Sequence, residues 1–298
     1  MLVRGGGDRT GENNPGIEKK GQVFIMQPVM ITAAMVGAEV TRAEQPNLPI
    51  TPQEIIAAAV ECYEAGASII HIHVRDAKGN ATQDARLFRE VVEGIRARCD
   101  VITQVSTGGA VWMSAEERLQ SIECQPDMAT LTTGTVNFGD GVFMNNRGLV
   151  ETFARRLREY GIVPEIEIFD VGMLDEAMRL HKMGLIIDPV QFDFVMGVPG
   201  GLGADPAHLA HMVRCLPPGS TWSVAGIGRH QLTLATIALA MGGNTRVGFE
   251  DNIYYRKGEL AHSNAQLVAR IARIAQELDR PVATPAQARE ILRLDRYR

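Results

Sequence analysis

The sequence has little cysteine. Cys62, Cys99, Cys124 and Cys215 are scattered along 298 positions and form no Cys-x-x-Cys pair. That spacing excludes a zinc ribbon and a disulfide framework, and it leaves the four side chains to act as small buried hydrophobes. Positive charge is not in excess either: 30 Lys and Arg stand against 35 Asp and Glu, a formal net charge of −5. No basic field is on offer to a nucleic-acid backbone. Long apolar runs are missing, since none reaches about 18 residues, the length a spanning helix needs. Nothing resembles a signal peptide. The composition is that expected of a cytoplasmic enzyme with small-molecule partners, not nucleic acid or membrane.

The first residues also lack anything to bury. MLVRGGGDRTGENNPGIEKKGQ is Gly-rich, polar and charged. Residues 1–27 are therefore expected to be a flexible extension, with Met26 as a candidate natural start. Folded character begins at QPVMITAAMVG, and residues 28–298 are expected to form one catalytic domain.

Within that domain, 45% hydrophobic content is enough for one large core. Apolar, β-branched runs lie at residues 29–33, 68–74, 101–105, 128–132, 163–169, 190–195, 221–225 and 245–249. Helix-periodic segments fall between and after them, at 52–65, 85–98, 115–122, 149–160, 173–183, 206–215, 232–241 and 263–278. Two of these open on a capping box, TPQE from Thr51 and SAEE from Ser114. TPAQAREILRL, from Thr284, reads as one further capped helix. Eight strand–helix units predict an α/β protein, a (β/α)8 TIM barrel with a short N-terminal extension and an extra C-terminal helix. A doubly wound open sheet is the second choice.

In such a barrel the chemistry sits at the carboxyl ends of the strands. The second strand ends in His71-Ile72-His73. Residues i and i+2 share a face, so both imidazoles aim into the mouth. Two neutral imidazoles and a carboxylate make a catalytic zinc site with an open position. The eighth strand ends in Glu250-Asp251, and strand one alone separates it from strand two, so Glu250 is the expected third ligand. Both acids enter the mouth only if the strand ends and turns there. Other strand ends are polar too: Ser106 before Gly108-Gly109, residues 130–133, and the same-face pair Glu165 and Glu167. One of that pair is expected to be structural. GVPGGLG and GIGRH are glycine-rich turns able to bring backbone N–H groups to an anion. His208 and His211 lack an acidic third ligand and read as ordinary helix surface.

TAAMVGAEVTRAEQPNLPITP, HIHVRD, QVSTGGA, GTVNFGD, GVPGG, VAGIGR and RVGFEDN, in this order, together resemble the β-keto acid cleavage enzymes. The resemblance runs from about Pro28 to the C-terminus. It implies zinc held by His71, His73 and Glu250, and acetyl-CoA as co-substrate. The implied reaction turns a β-keto acid and acetyl-CoA into acetoacetate and a new acyl-CoA. It also implies a homo-oligomer, most often a tetramer. On that chemistry Asp251 is the expected general base and Arg246 the group that holds it. Glu167 matches an active-site glutamate of the family. Ser106 and Gly109 are expected to bind the substrate, Thr130 to support the same pocket, and Arg229 to contact a CoA phosphate.

By the same resemblance Glu39 sets the substrate, because a carboxylate at the mouth selects a cationic chain. The bland alternative is a surface pair with Arg42. The first expectation is (5S)-5-amino-3-oxohexanoate, giving 3-aminobutyryl-CoA in lysine degradation. Dehydrocarnitine is second, since a quaternary ammonium prefers aromatic walls and none accompanies Glu39 in the sequence. A zinc aldolase or lyase without CoA is the competing enzyme, and a non-catalytic metabolite- or zinc-binding barrel the competing non-enzyme.

Overall fold

The computed structural model describes residues 27–297. The expected extension, Met26 included, lies outside the described residues except for Gln27. Among those described, eight parallel strands close a barrel: β1 (Ile31–Ala34), β2 (Ile69–Ile72), β3 (Ile102–Val105), β4 (Met128–Thr132), β5 (Val163–Ile168), β6 (Gln191–Met196), β7 (Thr221–Gly226) and β8 (Asn244–Val247). Each pairs with its neighbours in sequence, and β8 closes on β1 through Thr32 opposite Arg246. Closure excludes the open doubly wound sheet.

The helices are α1 (Pro52–Glu64), α2 (Ala85–Arg96), α3 (Ala115–Leu119), α4 (Arg147–Tyr160), α5 (Gly172–Lys182), α6 (Pro206–Arg214), α7 (Gln231–Ala240), α8 (Asn264–Glu277) and α9 (Pro285–Leu292). Thr51, Ser114 and Thr284 each cap a helix start reciprocally with the side chain three residues on. α3 is shorter than its periodicity suggests and continues as a tighter 3₁₀ turn, Gln120–Cys124. There the Ser121 hydroxyl donates to Arg118 O and competes with the regular ladder.

Apolar side chains from the outer face of the strands and the inner face of the helices form the main core, with Phe88, Phe153, Leu180 and Phe192 fully or almost fully buried. Each such side chain contributes about 1.5–3 kcal/mol. A second cluster plugs the amino end of the barrel: Met30, Ile69, Ile102, Met128 and Val163 meet Leu292, Leu294 and Tyr297 from α9 and its tail. The barrel interior above that plug is polar, with Gln104, Glu165, Gln191, Asp193 and Ser223 all buried.

Two strands end two residues before their apolar runs do. β2 stops at Ile72, and Val74–Arg75 leaves the barrel to pair with Ala81–Thr82. Asp76 sets that hairpin turn by accepting from the Lys78 and Asn80 N–H groups. β8 stops at Val247, before Gly248. The expectation for cysteine is corrected in half its cases: all four thiols are free, Cys62 and Cys124 are buried, but Cys99 is half-buried and Cys215 exposed. Cys215 caps the surface helix α6 and so faces solvent. Among the described residues no helix is long and apolar enough to cross a membrane.

Candidate active site and metal centre

His71 and His73 flank the carboxyl end of β2 and are both buried, their ring centroids 5.3 Å apart. Glu250 reaches them from the other side of β1. Its Oε1 lies 3.5 Å from His71 Nε2 and 3.6 Å from His73 Nε2. One donor atom from each of the three falls within 4.8 Å of the others. His71 Nε2 and Glu250 Oε2 are buried with no hydrogen-bond partner, a cost that a bound cation removes. His71 Nδ1 stands 2.7 Å from Gln104 Oε1. An amide oxygen only accepts, so Nδ1 donates to Gln104 and Nε2 is the nitrogen left facing Glu250. Burial by itself would lower the His71 pKa, but the Glu250 carboxylate outweighs it and raises it. The donor set therefore fits a divalent metal such as zinc.

The turn after β8 brings in both acids. Gly248 has φ +148°, and a Cβ there would meet Ala34 O at 2.0 Å, so only glycine fits. Glu250 N–H donates back to Ala34 O at 3.1 Å. The chain then presents Glu250 and Asp251 to the same cavity, as a strand ending at that point requires. Arg246, buried at the end of β8, clasps Asp251 with Nε to Oδ2 at 3.0 Å and Nη2 to Oδ1 at 2.8 Å. Nη2 also donates to Glu250 Oε1 at 2.5 Å.

These contacts set the charges. Burial by itself would raise the Glu250 carboxyl, but Arg246, His73 and His71 outweigh it and hold its pKa well below the usual range. Burial and the adjacent Glu250 charge push Asp251 up to about 6 against the pull of Arg246. Burial would lower Arg246, yet Asp251, Glu250 and Asp193 keep it fully charged.

Around this centre is a cavity of about 460 Å³, the size of a small-ligand site. Glu39, Ser106, Gly109 and Glu167 line it as the sequence suggests. Glu39 lies on the loop after β1; Arg42 pairs with Glu54 instead, which removes the surface-pair alternative. Glu167 accepts from Thr132 Oγ1 at 2.6 Å and lies 3.6 Å from Arg246 Nη1. Its partner Glu165 is fully buried below, bonded to Gln191, and takes the structural part. Burial raises the Glu165 pKa, and burial plus the Glu165 charge push Asp193 up to about 8.

Two expected site residues fall elsewhere. Thr130 is buried behind the cavity wall, where its Oγ1 accepts from Thr107 N–H at 3.2 Å and braces the loop after β3. Arg229 is exposed in the short turn Gly228–His230, beside His230, and is not among the cavity-lining residues. The adjacent turn contributes Ile227 instead, and the GVPGG turn contributes Val198 and Pro199. His208 and His211 stay on the surface side of α6, with His208 Nδ1 3.1 Å from Gly203 O.

The structure adds residues that the sequence does not flag. Gln104 orients His71 and is legible only once β3 is known to pair with β2, with His71 opposite Gln104. Phe138, Phe143 and Phe169 form a mutually edge-on cluster, with centroids 6.2–6.5 Å apart, and line the same cavity as Glu39. The aromatic wall missing near Glu39 in the sequence is thus supplied by the hairpin that follows β4, Val136–Phe138 paired with Gly141–Phe143, and by Phe169 just after β5.

The sequence profile of the family described as beta-keto acid cleavage enzyme matches residues 28–294. A protein of Fusobacterium nucleatum named 3-keto-5-aminohexanoate cleavage enzyme is 52% identical over 91% of this chain and 99% of its own. A protein of Cupriavidus necator named 3-oxoadipate:acetyl-CoA acetyltransferase is 41% identical over 90% of this chain and 95% of its own. Among solved structures, the ternary complex of ObcA with a C4-CoA adduct and oxalate superposes with a TM-score of 0.74. It covers 84% of this chain and 68% of that one at 20% identity, a likeness of fold.

Proposed function

Because this chain belongs to the beta-keto acid cleavage enzyme family, we propose that it is a zinc-dependent acyltransferase that cleaves (5S)-5-amino-3-oxohexanoate with acetyl-CoA. The products are acetoacetate and 3-aminobutyryl-CoA. The observation that carries this reading is one cavity holding the His71–His73–Glu250 cluster, the Arg246–Asp251 pair and Glu39 together. The name of the relative from Fusobacterium nucleatum supports the substrate, and that of the relative from Cupriavidus necator supports acetyl-CoA.

His71, His73 and Glu250 would hold the metal, which when bound supplies a Lewis acid for the keto oxygen and carboxylate of the substrate. Asp251 is the base that takes a C2 proton, and Arg246 holds both its oxygens in place while it does so. Ser106 and the backbone at Gly109 bind the substrate's carboxylate end, in a loop that Thr130 braces. Glu167, fixed by Thr132, completes the wall beside Arg246. Glu39 pairs with the substrate ammonium at the rim. The C2 carbanion then attacks the acetyl thioester and expels CoA thiolate. The thiolate attacks C3, the C2–C3 bond breaks, and the electron pair leaves on C2 of acetoacetate, which takes back the proton from Asp251 and restores the base. The reaction balances without water or redox change. Arg229, outside the cavity, is assigned to the CoA phosphates. The family resemblance is what supports a homotetramer, and the composition is what supports a place in the cytoplasm.

One observation favours a second substrate. The phenylalanine cluster offers the aromatic surface that a quaternary ammonium prefers, which suits dehydrocarnitine. The deciding experiment incubates zinc-loaded protein with each β-keto acid, with and without acetyl-CoA, and measures acetoacetate and the acyl-CoA. Turnover of the amino acid only with acetyl-CoA is the expected result. Cleavage without acetyl-CoA would instead establish a zinc lyase, and preference for dehydrocarnitine would reassign the substrate.

A further inference from the structure

Arg75, in the HIHVRD stretch, takes no part in the chemistry above. Its side chain is buried, where a guanidinium is tolerated only with its donors satisfied. Nε donates to Gly37 O at 2.9 Å, Nη2 to Val40 O at 3.0 Å and Nη1 to Gly79 O at 3.1 Å. Gly37 and Val40 bracket Glu39 on the loop after β1, while Gly79 lies in the turn of the hairpin that Arg75 itself belongs to. The loop is confined on its other side as well. Gly37 has φ +64°, and a Cβ there would stand 2.6 Å from Glu250 Cγ. The backbone carrying Glu39 is thus wedged between a buried guanidinium and a metal-ligating glutamate. Glu39 itself is exposed at the rim, so the backbone beneath it decides where its carboxylate stands. Burial lowers the Arg75 pKa against the charges of Glu39 and Glu250, which places both carboxylates within electrostatic reach of it.

We propose that Arg75 is the positioning residue for substrate selection: by clasping the backbone on both sides of Glu39, it fixes that carboxylate relative to the metal centre. The clasp admits β-keto acids whose cationic group lies at that set reach. This rests on Glu39 being the partner of the substrate ammonium. A planar fork reaching carbonyls on separate segments is a task for arginine, and a lysine ammonium is a point donor that cannot reproduce it.

The test compares wild type, Arg75→Lys, Arg75→Met and Glu39→Gln on two substrates at saturating acetyl-CoA. One is 5-amino-3-oxohexanoate and the other is 3-oxohexanoate, the same chain without the amino group. Bound metal per chain and melting temperature are measured alongside. Arg75→Lys keeps the charge and breaks the clasp. It is expected to lower the ratio of kcat/KM values, amino over unsubstituted, by about tenfold, through KM for the amino substrate. Its kcat on 3-oxohexanoate and its metal content stay at the wild-type level. Arg75→Met removes the clasp and a cation that competes for Glu39, so it separates geometry from charge. A lowered ratio in both variants supports the clasp. A raised ratio in Arg75→Met, or an equal loss on both substrates in Arg75→Lys, overturns it. A wild-type ratio in Glu39→Gln overturns the ammonium reading itself. A lowered ratio there beside an unchanged one in Arg75→Lys overturns only the role of Arg75.

Discussion

Single residues in this barrel are set apart by what surrounds the same functional group. Asp251 and Asp193 are both buried and both face Arg246, yet Asp251 is clasped by two hydrogen bonds while Asp193 Oδ2 lies 4.0 Å from Nη1. In the proposed mechanism the first is the base. Asp251→Asn keeps the shape and loses the basic oxygen pair. It is expected to lower kcat by at least about a hundredfold with metal content and KM little changed, which steady-state kinetics and metal analysis check. Asp193 bears on stability instead. Its carboxyl is pushed from 3.8 to about 8, so over that window the folded chain holds a proton that the unfolded chain has released. Its contribution to stability is full below the lower value and is lost as pH rises through the upper one. Asp193→Asn still accepts from Ser223 Oγ but does not titrate. Its stability relative to wild type is expected to increase as pH rises from about 4 to about 8 and to level off beyond, in urea titrations across that range. A difference that is flat with pH would show that Asp193 is not the group responsible.

At the scale of elements, the site depends on where strands stop. β2 gives up its barrel pairing at Ile72 and β8 at Val247, and each break places a member of the His71–His73–Glu250 cluster on the turn that follows. Gly248 makes the second break sterically possible. Gly248→Ala brings a methyl against the Ala34 carbonyl at 2.0 Å in a backbone conformation that L-residues avoid. A loss of about 3 kcal/mol or more is expected, with metal affinity falling because Glu250 follows two residues later. Urea unfolding and equilibrium dialysis of the metal read the two effects separately. The loop after β3 is held in a comparable way. Arg118 donates to Thr107 O at 2.7 Å, Met144 O at 3.0 Å and Asn145 Oδ1 at 2.7 Å, and stacks over Phe143 and Phe153. The loop bearing Ser106 and Gly109 is thereby tied to the hairpin bearing Phe143. Arg118→Met leaves those acceptors unpaired and is expected to cost about 2–4 kcal/mol in chemical denaturation.

For the whole molecule, closure of the sheet is what brings β8 and β2 to either side of β1, and the His71–His73–Glu250 cluster joins the second and last strands of the barrel across the first. Metal binding to the folded state alone therefore stabilises the entire closed structure. At a free zinc concentration about a hundredfold above Kd the gain is about 2.7 kcal/mol, a rise in Tm of roughly 5–10 °C. Stripping the protein with a chelator is expected to remove that rise, and zinc to restore it, in a thermal melt. His73→Ala is expected to melt at the same temperature with or without zinc. A zinc-dependent shift that survives in His73→Ala would place the ion elsewhere.

The sequence by itself determined the eight strand–helix units, the capped starts at Thr51, Ser114 and Thr284, and the pairing of His71 with His73. These are local: period, capping chemistry and i, i+2 geometry act over a few residues, so they are written where they operate. The strand order also let Glu250 be placed beside the histidines, because a closed barrel makes β8 a neighbour of β1. The tertiary structure alone decided the rest. Thr130 went behind the wall and Arg229 out of the cavity, since one strand register or one turn residue settles which way a side chain faces. Gln104 against His71, the three phenylalanines that line one cavity with Glu39 and the hold of Arg75 on Gly37 and Val40 join segments far apart along the chain. No local pattern encodes such contacts, because their partners become neighbours only when the barrel closes.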